Sequence, residues 1–259
     1  MVSSLDDTNT VVIVAARNEA DRIGATIAAL CASFPSATVI VADDASADET
    51  ASVARGAGAE VISTALRRGK GGNVSAAAEE VLRRIALEGQ PAHSEGGRPP
   101  SGPGGRLART GGVDPVVLLC DGDLGASASG LIRLVRSVED GECDLAVAAF
   151  ARRVGGGFGL ARTAGRAAVK RSCGLETSAP LSGQRALRAS VLSATLPFAP
   201  GFGMEVGMTV DAVRAGCRVA EVEVELEHRA TGRTLGGFAH RGRQLADIVR
   251  AYLARRARS

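Results

Sequence analysis

The apolar positions of the chain fall into short continuous runs separated by amphipathic stretches. Val11 to Ala16 is an apolar run bounded by polar residues, the pattern of a buried strand. Ile23, Ile27 and Leu30 then recur at helical spacing and predict a helix from about Glu19 to Ser33. Thr38 to Ala42 predicts a second strand, ending at Asp43-Asp44. Ser46-Ala47-Asp48-Glu49 has the form of a capping box, which would open a helix that closes at Gly56 or Gly58. Glu60 to Ser63 reads as a third strand. The loop Arg67-Arg68-Gly69-Lys70-Gly71 follows, then a helix from about Gly72 to Leu87. Val116 to Cys120 is the cleanest strand pattern in the chain. A helix from about Ser127 to Val138 and a strand from Asp144 to Phe150 complete the first half.

This alternation of strand and helix predicts an α/β, Rossmann-like fold, with a mostly parallel sheet flanked by helices on both faces. Such sheets bind ligands at the carboxyl ends of their strands. The acidic pairs Asp43-Asp44 and Asp121/Asp123 fall at such ends. Residues 1–150 therefore read as a ligand-binding half. Within it, residues 89–114 are rich in Gly, Pro, Ser and Arg and lose apolar periodicity, which predicts a flexible surface insertion. Residues 151–259 read as a more helical half of the same domain. Its expected helices are Leu160 to Arg171, Arg185 to Ala194, Met204 to Ala215 and Phe238 to Arg255. Val219 to Leu226 alternates apolar and acidic residues, as a strand with one wet face does.

Composition changes this picture little. The chain has 259 residues, 45% hydrophobic and 23% charged, enough for one full core. It holds no Trp, one Tyr and six Phe, so Ala, Val, Leu and Gly must do the packing. A net charge of +3 is too small to imply nucleic-acid binding. The five cysteines, Cys31, Cys120, Cys143, Cys173 and Cys217, form no CxxC pair, so zinc is not expected and a reducing cytoplasm is. No signal peptide or membrane-spanning run is expected. Arg241 to Ser259 is rich in Arg with one acid, Asp247. Leu245, Ile248, Val249, Tyr252 and Leu253 give it an apolar face. Packing of that face on the domain is the first expectation. The surrounding Arg cluster is compatible with peripheral contact to the anionic inner face of a membrane. A homodimer is left open.

Three constellations carry chemistry. Asp121-Gly122-Asp123 places two carboxylates around a glycine that turns easily and lets a diphosphate approach the backbone. Hard carboxylate oxygens suit Mg²⁺ or Mn²⁺, ions that share ligands with substrate phosphates. Asp43-Asp44 supplies acids beyond what a helix cap needs, since Ser46 suffices as the cap, and one of them can accept hydrogen bonds from a base or ribose. Gly69-Lys70-Gly71-Gly72 sets a Lys among glycines ahead of a helix, where it can approach phosphate. It lacks P-loop spacing.

The ordered set Ala15-Ala16-Arg17-Asn18-Glu19, Ala42-Asp43-Asp44-Ala45-Ser46-Ala47-Asp48-Glu49-Thr50, Arg68-Gly69-Lys70-Gly71 and Asp121-Gly122-Asp123 resembles the family 2 glycosyltransferases of the GT-A fold. The resemblance implies that the first strand, with Ala15, Arg17 and Glu19, and the Asp43-Asp44 pair hold the nucleoside. Asp44 would meet the base, Asp121 and Gly122 the ribose, diphosphate or metal, and Asp123 the metal. In the second half, Gly201 to Gly207 is similar to the segment carrying an acceptor-side carboxylate in glucosyl-3-phosphoglycerate synthases and polyprenyl-phosphate glucosyltransferases. This implies a role for Glu205. Glu227 to Arg233 places His228 where the phosphoglycerate enzymes use a His as a metal ligand. Pro180 to Arg185 resembles their acceptor loop, with Ser182, Gly183 and Gln184 towards acceptor hydroxyls. Arg162 and Arg166, one helical turn apart, can meet an acceptor phosphate.

The expected activity is metal-dependent transfer of a sugar, glucose favoured, from a nucleoside diphosphate sugar, UDP favoured, to a phosphorylated small molecule or a polyprenyl phosphate. Asp123 and the metal would neutralise the leaving diphosphate. Glu205 would act as general base in an inverting course or orient the acceptor in a retaining one. A nucleotidyltransferase would carry a Gly-rich basic loop where Ala15 to Glu19 stands. A silent nucleotide-sugar-binding protein has no need of both Asp121 and Asp123.

Overall fold

The structure is a computed structural model that describes residues 10–88, 114–150, 159–201, 203–226 and 246–255. Its strands are β1 (Thr10–Ala16), β2 (Thr38–Asp43), β3 (Glu60–Ser63), β4 (Val116–Asp121), β5 (Leu145–Phe150), β6 (Arg185–Arg188) and β7 (Val219–Val224). They form one sheet in the order β3-β2-β1-β4-β6-β5-β7. Every pairing is parallel except those of β6, which runs antiparallel to both β4 and β5. The helices are α1 (Ala20–Ser33), α2 (Thr50–Gly56), α3 (Gly69–Glu88), α4 (Ile132–Glu139), α5 (Gly159–Cys173), α6 (Ala189–Thr195) and α7 (Gly203–Arg214). Residues 246–255 form a further helix.

Alternate side chains of each central strand enter opposite cores, as a period of two requires. Val12 and Val14 join Ile23, Ile27 and Leu30 of α1 and Leu134, Val135 and Val138 of α4 on one face. Ile13, Ile40, Val117 and Leu119 join Val74, Ala77, Ala78 and Val81 of α3 and Met204 and Met208 of α7 on the other. This double burial explains why β1, β2 and β4 read as unbroken apolar runs. A smaller third cluster joins Ala161, Ala168 and Val169 of α5 to Val206 and Val210 of α7 and Ile248 of the last helix.

Four expectations are corrected. Arg185 to Ala194 is not one helix: Arg185–Arg188 is the strand β6, and only Ala189–Thr195 is helical. Arg-Ala-Leu-Arg suits either state, and pairing with β4 and β5 decides for the strand. Ser46 does not cap α2. That helix begins at Thr50 without a side-chain cap from its N-terminal residue. Ser46 bonds instead to Asp43 and receives the Asn18 amide. Gly69-Lys70-Gly71-Gly72 is the first turn of α3, not a loop before it. The segment from Ser127 opens within a 3₁₀ turn, Gly125–Leu131, before α4.

Residues 89–113 of the expected insertion lie outside the described residues. Its last residue, Asp114, is fixed by the Ser190 amide and hydroxyl at 2.9 and 2.7 Å.

Candidate active site

The carboxyl ends of β1, β2 and β4 and the amino end of β6 meet along one edge of the sheet. Ala15 pairs in register with Asp121 and Ala42, and Ala16 with Asp43. The Gly122 amide donates to the Ala15 carbonyl at 2.9 Å. A Cβ on Gly122 would stand 2.9 Å from Ile23 Cδ1 and 3.3 Å from that carbonyl, so only glycine fits this turn without displacement. Helix α1 holds the turn from below. Thr26 Oγ1 donates to the Gly122 carbonyl at 2.8 Å and accepts the Gly125 amide at 2.8 Å. Arg22 donates to the Asp123 carbonyl at 2.8 Å.

The two carboxylates of this turn differ in their commitments. Asp121 Oδ1 lies 2.6 Å from Lys70 Nζ, and Asp121 Oδ2 accepts from Gln184 Nε2 at 2.8 Å. Asp123 has no side-chain partner among the described residues. It is the carboxylate left open to an added cation, and its hard oxygens with those of a diphosphate would suit Mg²⁺ or Mn²⁺. No group of three or more His, Cys, Asp or Glu side chains converges among the described residues. A metal here would therefore depend on substrate oxygens, on Asp121 released from its partners, or on residues outside the described set.

Lys70 is the hub. Its ammonium also contacts Glu205 Oε1 at 3.0 Å, linking β4 to α7 across the sheet edge. Burial alone would lower its pKa, but Asp121 and Glu205 raise it above its ordinary value of 10.5, so it is a cation at any physiological pH. Helix α3 is strapped down where Lys70 leaves it. Ser75 Oγ donates to the Gly71 carbonyl at 2.7 Å and accepts the Phe198 amide at 3.0 Å. A Cβ on Gly71 would collide with the Ala199 carbonyl. Gly183 leaves the space that Lys70 and Asp121 share: a Cβ there would overlap Lys70 Nζ and stand 2.8 Å from Asp121 Oδ2.

Glu205 sits in the first turn of α7 and is 2% exposed. Its Oε2 has no hydrogen-bond partner among the described residues. Ser182 Oγ and Arg185 Nη2 are likewise buried and unpartnered. Arg185 Nε donates to the Ser182 carbonyl at 2.8 Å, and Nη1 to Thr209 Oγ1 at 2.9 Å. Burial pushes the Arg185 guanidinium down to about 10, against the pull of Glu205 and Glu221, and it stays charged at neutral pH. Buried polar groups are rarely left unsatisfied. Three of them, with the paired Lys70 and Asp121, make a buried polar cluster at this end of α7.

Asp43 and Asp44, expected to meet a nucleoside, are already engaged within the protein. Asp43 is buried and accepts the Ser46 amide at 3.3 Å together with the Ser46 hydroxyl. Asp44 accepts the Arg68 amide at 2.7 Å and the Gly69 amide at 3.1 Å, so both its oxygens serve the first turn of α3. Asn18 and Ala45 both have positive φ, 54° and 53°. Ala rarely adopts this conformation, and such strain gathers at functional edges. The Ala47 amide donates to Asn18 Oδ1 at 2.8 Å, closing the β1 and β2 loops on each other. Arg17 projects from this closure, exposed. The Glu19 amide donates to Thr50 Oγ1 at 2.8 Å.

The pattern of the family described as Glycosyl transferase family 2 matches residues 11–85. Among solved structures, the chain superposes on glucosyl-3-phosphoglycerate synthase from Mycobacterium tuberculosis in complex with phosphoglyceric acid. The TM-score is 0.67 and the identity 26%, over 95% of this chain and 79% of that one. The complex of that enzyme with Mn²⁺, UDP and glucosyl-3-phosphoglycerate gives 0.66 and 26% over the same shares. Its complex with Mn²⁺, UDP-glucose and phosphoglyceric acid gives 0.66 and 27%, again over 95% and 79%. The chain is a glycosyltransferase with the GT-A fold, and its first third carries the family 2 pattern. No curated protein sequence matches it.

In this glycosyltransferase Asp121, Gly122, Lys70, Gly183, Gln184 and Glu205 come together, with Ser182 beside them. Arg162 does not join them through any contact: it is exposed on α5 with no polar partner among the described residues. His228 lies outside the described residues. Arg185 and Thr209 are the members that sequence reasoning missed as individuals. Nothing in a lone Arg before Ala-Leu signals that it will be 1% exposed. The last helix also departs from expectation. Ile248 and Tyr252 face the core, whereas Val249 and Leu253 point outward, 45% and 55% exposed. Arg255 belongs to no exposed basic rim. It is buried against Asp211. No helix of the described residues is long and apolar enough to cross a membrane.

Proposed function

We propose that this glycosyltransferase moves glucose from UDP-glucose to a phosphorylated acceptor with the help of Mg²⁺ or Mn²⁺. The observation that carries the reading is the Asp121–Lys70–Glu205 chain of contacts, which joins the Asp-Gly-Asp turn to the buried polar cluster of α7. The similar mycobacterial structures hold UDP-glucose, Mn²⁺ and phosphoglyceric acid together, or Mn²⁺, UDP-glucose and glycerol 3-phosphate. We read residues 1–150 as the donor half and 151–259 as the acceptor half of one domain, since a single sheet runs through both.

In this reading Asp123 holds the metal, with Asp121 as a shared ligand and His228 as a further candidate. When bound, the metal supplies charge neutralisation to the leaving diphosphate. Gly122 and Ala15 keep the backbone low enough for the phosphates. Lys70 is already cationic and fixed, so it adds a preorganised positive charge beside that diphosphate, an effect worth several kcal/mol of barrier, on the order of 3. Ser182, Gln184 and the second oxygen of Glu205 orient the acceptor hydroxyl at this cluster. Glu205 is the group placed to take its proton in an inverting course. Arg17 and Arg162 are candidates for the donor and the acceptor phosphate respectively.

Calorimetry with UDP and with GDP, each with and without Mn²⁺, tests the reading, followed by nucleotide release from a panel of donors. The expected result is Mn²⁺-dependent binding of UDP that Asp123→Ala abolishes. Binding of no nucleoside diphosphate, or full activity of Asp123→Ala, would refute it.

A further inference from the structure

Helix α7 has two faces, and the one remote from the site is built almost without side chains. Gly203 and Gly207 are one turn apart, and Asp211 continues the same line, as i, i+4 and i+8 positions do. Glu205 lies two residues from each glycine and so projects from the opposite side, where Lys70 meets it. The glycine face is covered by residues 246–255. A Cβ on Gly203 would stand 2.8 Å from Ala251 Cβ and 2.9 Å from the Asp247 carbonyl. A Cβ on Gly207 would stand 2.5 Å from Arg255 Cζ. Gly201, with φ of +56°, leaves the space taken by the Asp247 carboxylate. The two backbones approach closely because nothing but hydrogen stands between them.

This contact is locked at its far end. The Arg255 side chain is only 7% exposed, and its Nε donates to both oxygens of Asp211 at 2.9 Å. A second donor of the same guanidinium reaches Asp211 Oδ2. The Arg255 carbonyl accepts from Arg214 Nη1 at 2.8 Å, so helix and α7 are cross-tied in both directions. Planar guanidinium and carboxylate groups joined in this way fix orientation as well as distance. Ile248 and Tyr252 fill the rest of the joint with Val206 and Val210.

We propose that helix 246–255 is a back support for α7, and that Arg255 and Gly203 are positioning residues for Glu205. The site face of α7 rests on the sheet core through Met204 and Met208 and receives Arg185 at Thr209. Glu205 is held there by Lys70, and its second oxygen has no hydrogen-bond partner among the described residues. The seat behind α7 closes the joint from the other side, so the helix can settle at only one depth of Glu205 against Lys70. The catalytic consequence rests on the role proposed above for Glu205, but the mechanical one does not.

The test compares the full-length wild type with Arg255→Ala, Arg255→Lys and Gly203→Ala. Gly203→Ala inserts a methyl against backbone and so must lift the helix. Amide exchange is measured at residues 204–214 and across β1, β2 and β4. Turnover of the donor and Mn²⁺-dependent UDP affinity are measured in parallel. Arg255→Ala and Gly203→Ala should lose at least about tenfold of the α7 protection, a local opening of the kind that exchange reports. Protection of the β-strands should be unchanged, UDP affinity should stay within about twofold, and kcat should fall about tenfold or more. Arg255→Lys should recover part of each loss. Unchanged α7 protection in both variants, or protection lost evenly through the sheet, would overturn the proposal. If the wild type binds no UDP, the functional reading fails while the exchange data still decide the support.

Discussion

Replacing Lys70 by Met removes the cation that bridges Asp121 and Glu205. At 2.6 and 3.0 Å, and with an effective dielectric near 20, the gross attraction to each carboxylate is about 5–6 kcal/mol. Most of that is offset by the desolvation of the charges, so the cost of the substitution is set by what it leaves behind. Asp121 is 30% exposed at its side chain and can recruit water. Glu205 is 3% exposed and cannot. A buried charge stripped of its partner costs about 3–5 kcal/mol. The check is urea unfolding at neutral pH of the wild type, Lys70→Met, Glu205→Gln and the double variant, all without metal. Lys70→Met should lose about 3–5 kcal/mol. In the Glu205→Gln background the same change should cost about 1–2 kcal/mol, giving a coupling that only a direct contact explains. A Lys70→Met protein within about 1 kcal/mol of wild type, or one equally destabilised in both backgrounds, would refute the reasoning.

Gly183→Ala should cut turnover by about a hundredfold, because its methyl displaces Lys70 and Asp121 together while Mn²⁺ retention at Asp123, read by calorimetry, survives. Asp44→Ala should cost about 1–3 kcal/mol in urea melts by freeing the Arg68 and Gly69 amides, and Asp44→Asn should recover part of it. If Asp44 acts chiefly through α3, kcat falls and the preference for UDP over GDP stays the same. A changed base preference would show direct base contact instead. Burial alone would raise the Glu221 pKa, but hydrogen bonds from Ser178, Thr177 and the Ala179 amide lower it below its ordinary 4.5. Its stabilisation is therefore present above pH 4.5 and lost as the pH falls below it. The stability gap between wild type and Glu221→Gln should shrink between pH 6 and pH 3 on acid titration.

What the sequence disclosed depended on how local its cause was. The strands Thr10–Ala16, Thr38–Asp43 and Val116–Asp121 announce themselves because both faces are buried, so every position is apolar. The Asp-Gly-Asp turn was legible from the strand before it. The strand β6 was not, because four residues that suit a helix are held extended by partners 38 and more positions away. The start of α3 was hidden for a related reason. Its glycines read as loop, and the carboxylate that engages its first amides, Asp44, lies just past the end of β2. Ser46 had the right spacing for a cap but met Asp43 first. The placement of Asp43, Asp44 and Asp121 at strand ends was thus readable, whereas their hydrogen-bond partners were set by tertiary contacts.

The reversed strand β6 has a consequence for how this enzyme can change. At the carboxyl ends of the parallel strands, the chain leaves the sheet and must still close a connection to the next element, so its loops carry a topological duty. At β6 the chain arrives. The segment Ala179–Gln184 reaches the site before its strand begins, and its downstream register is held on both sides by β4 and β5. Its sequence can therefore be exchanged, by evolution or by grafting, without shifting Asp121 or the donor loops. Gly183, wedged beside Lys70, and Gln184, bonded to Asp121, would need to travel with every version.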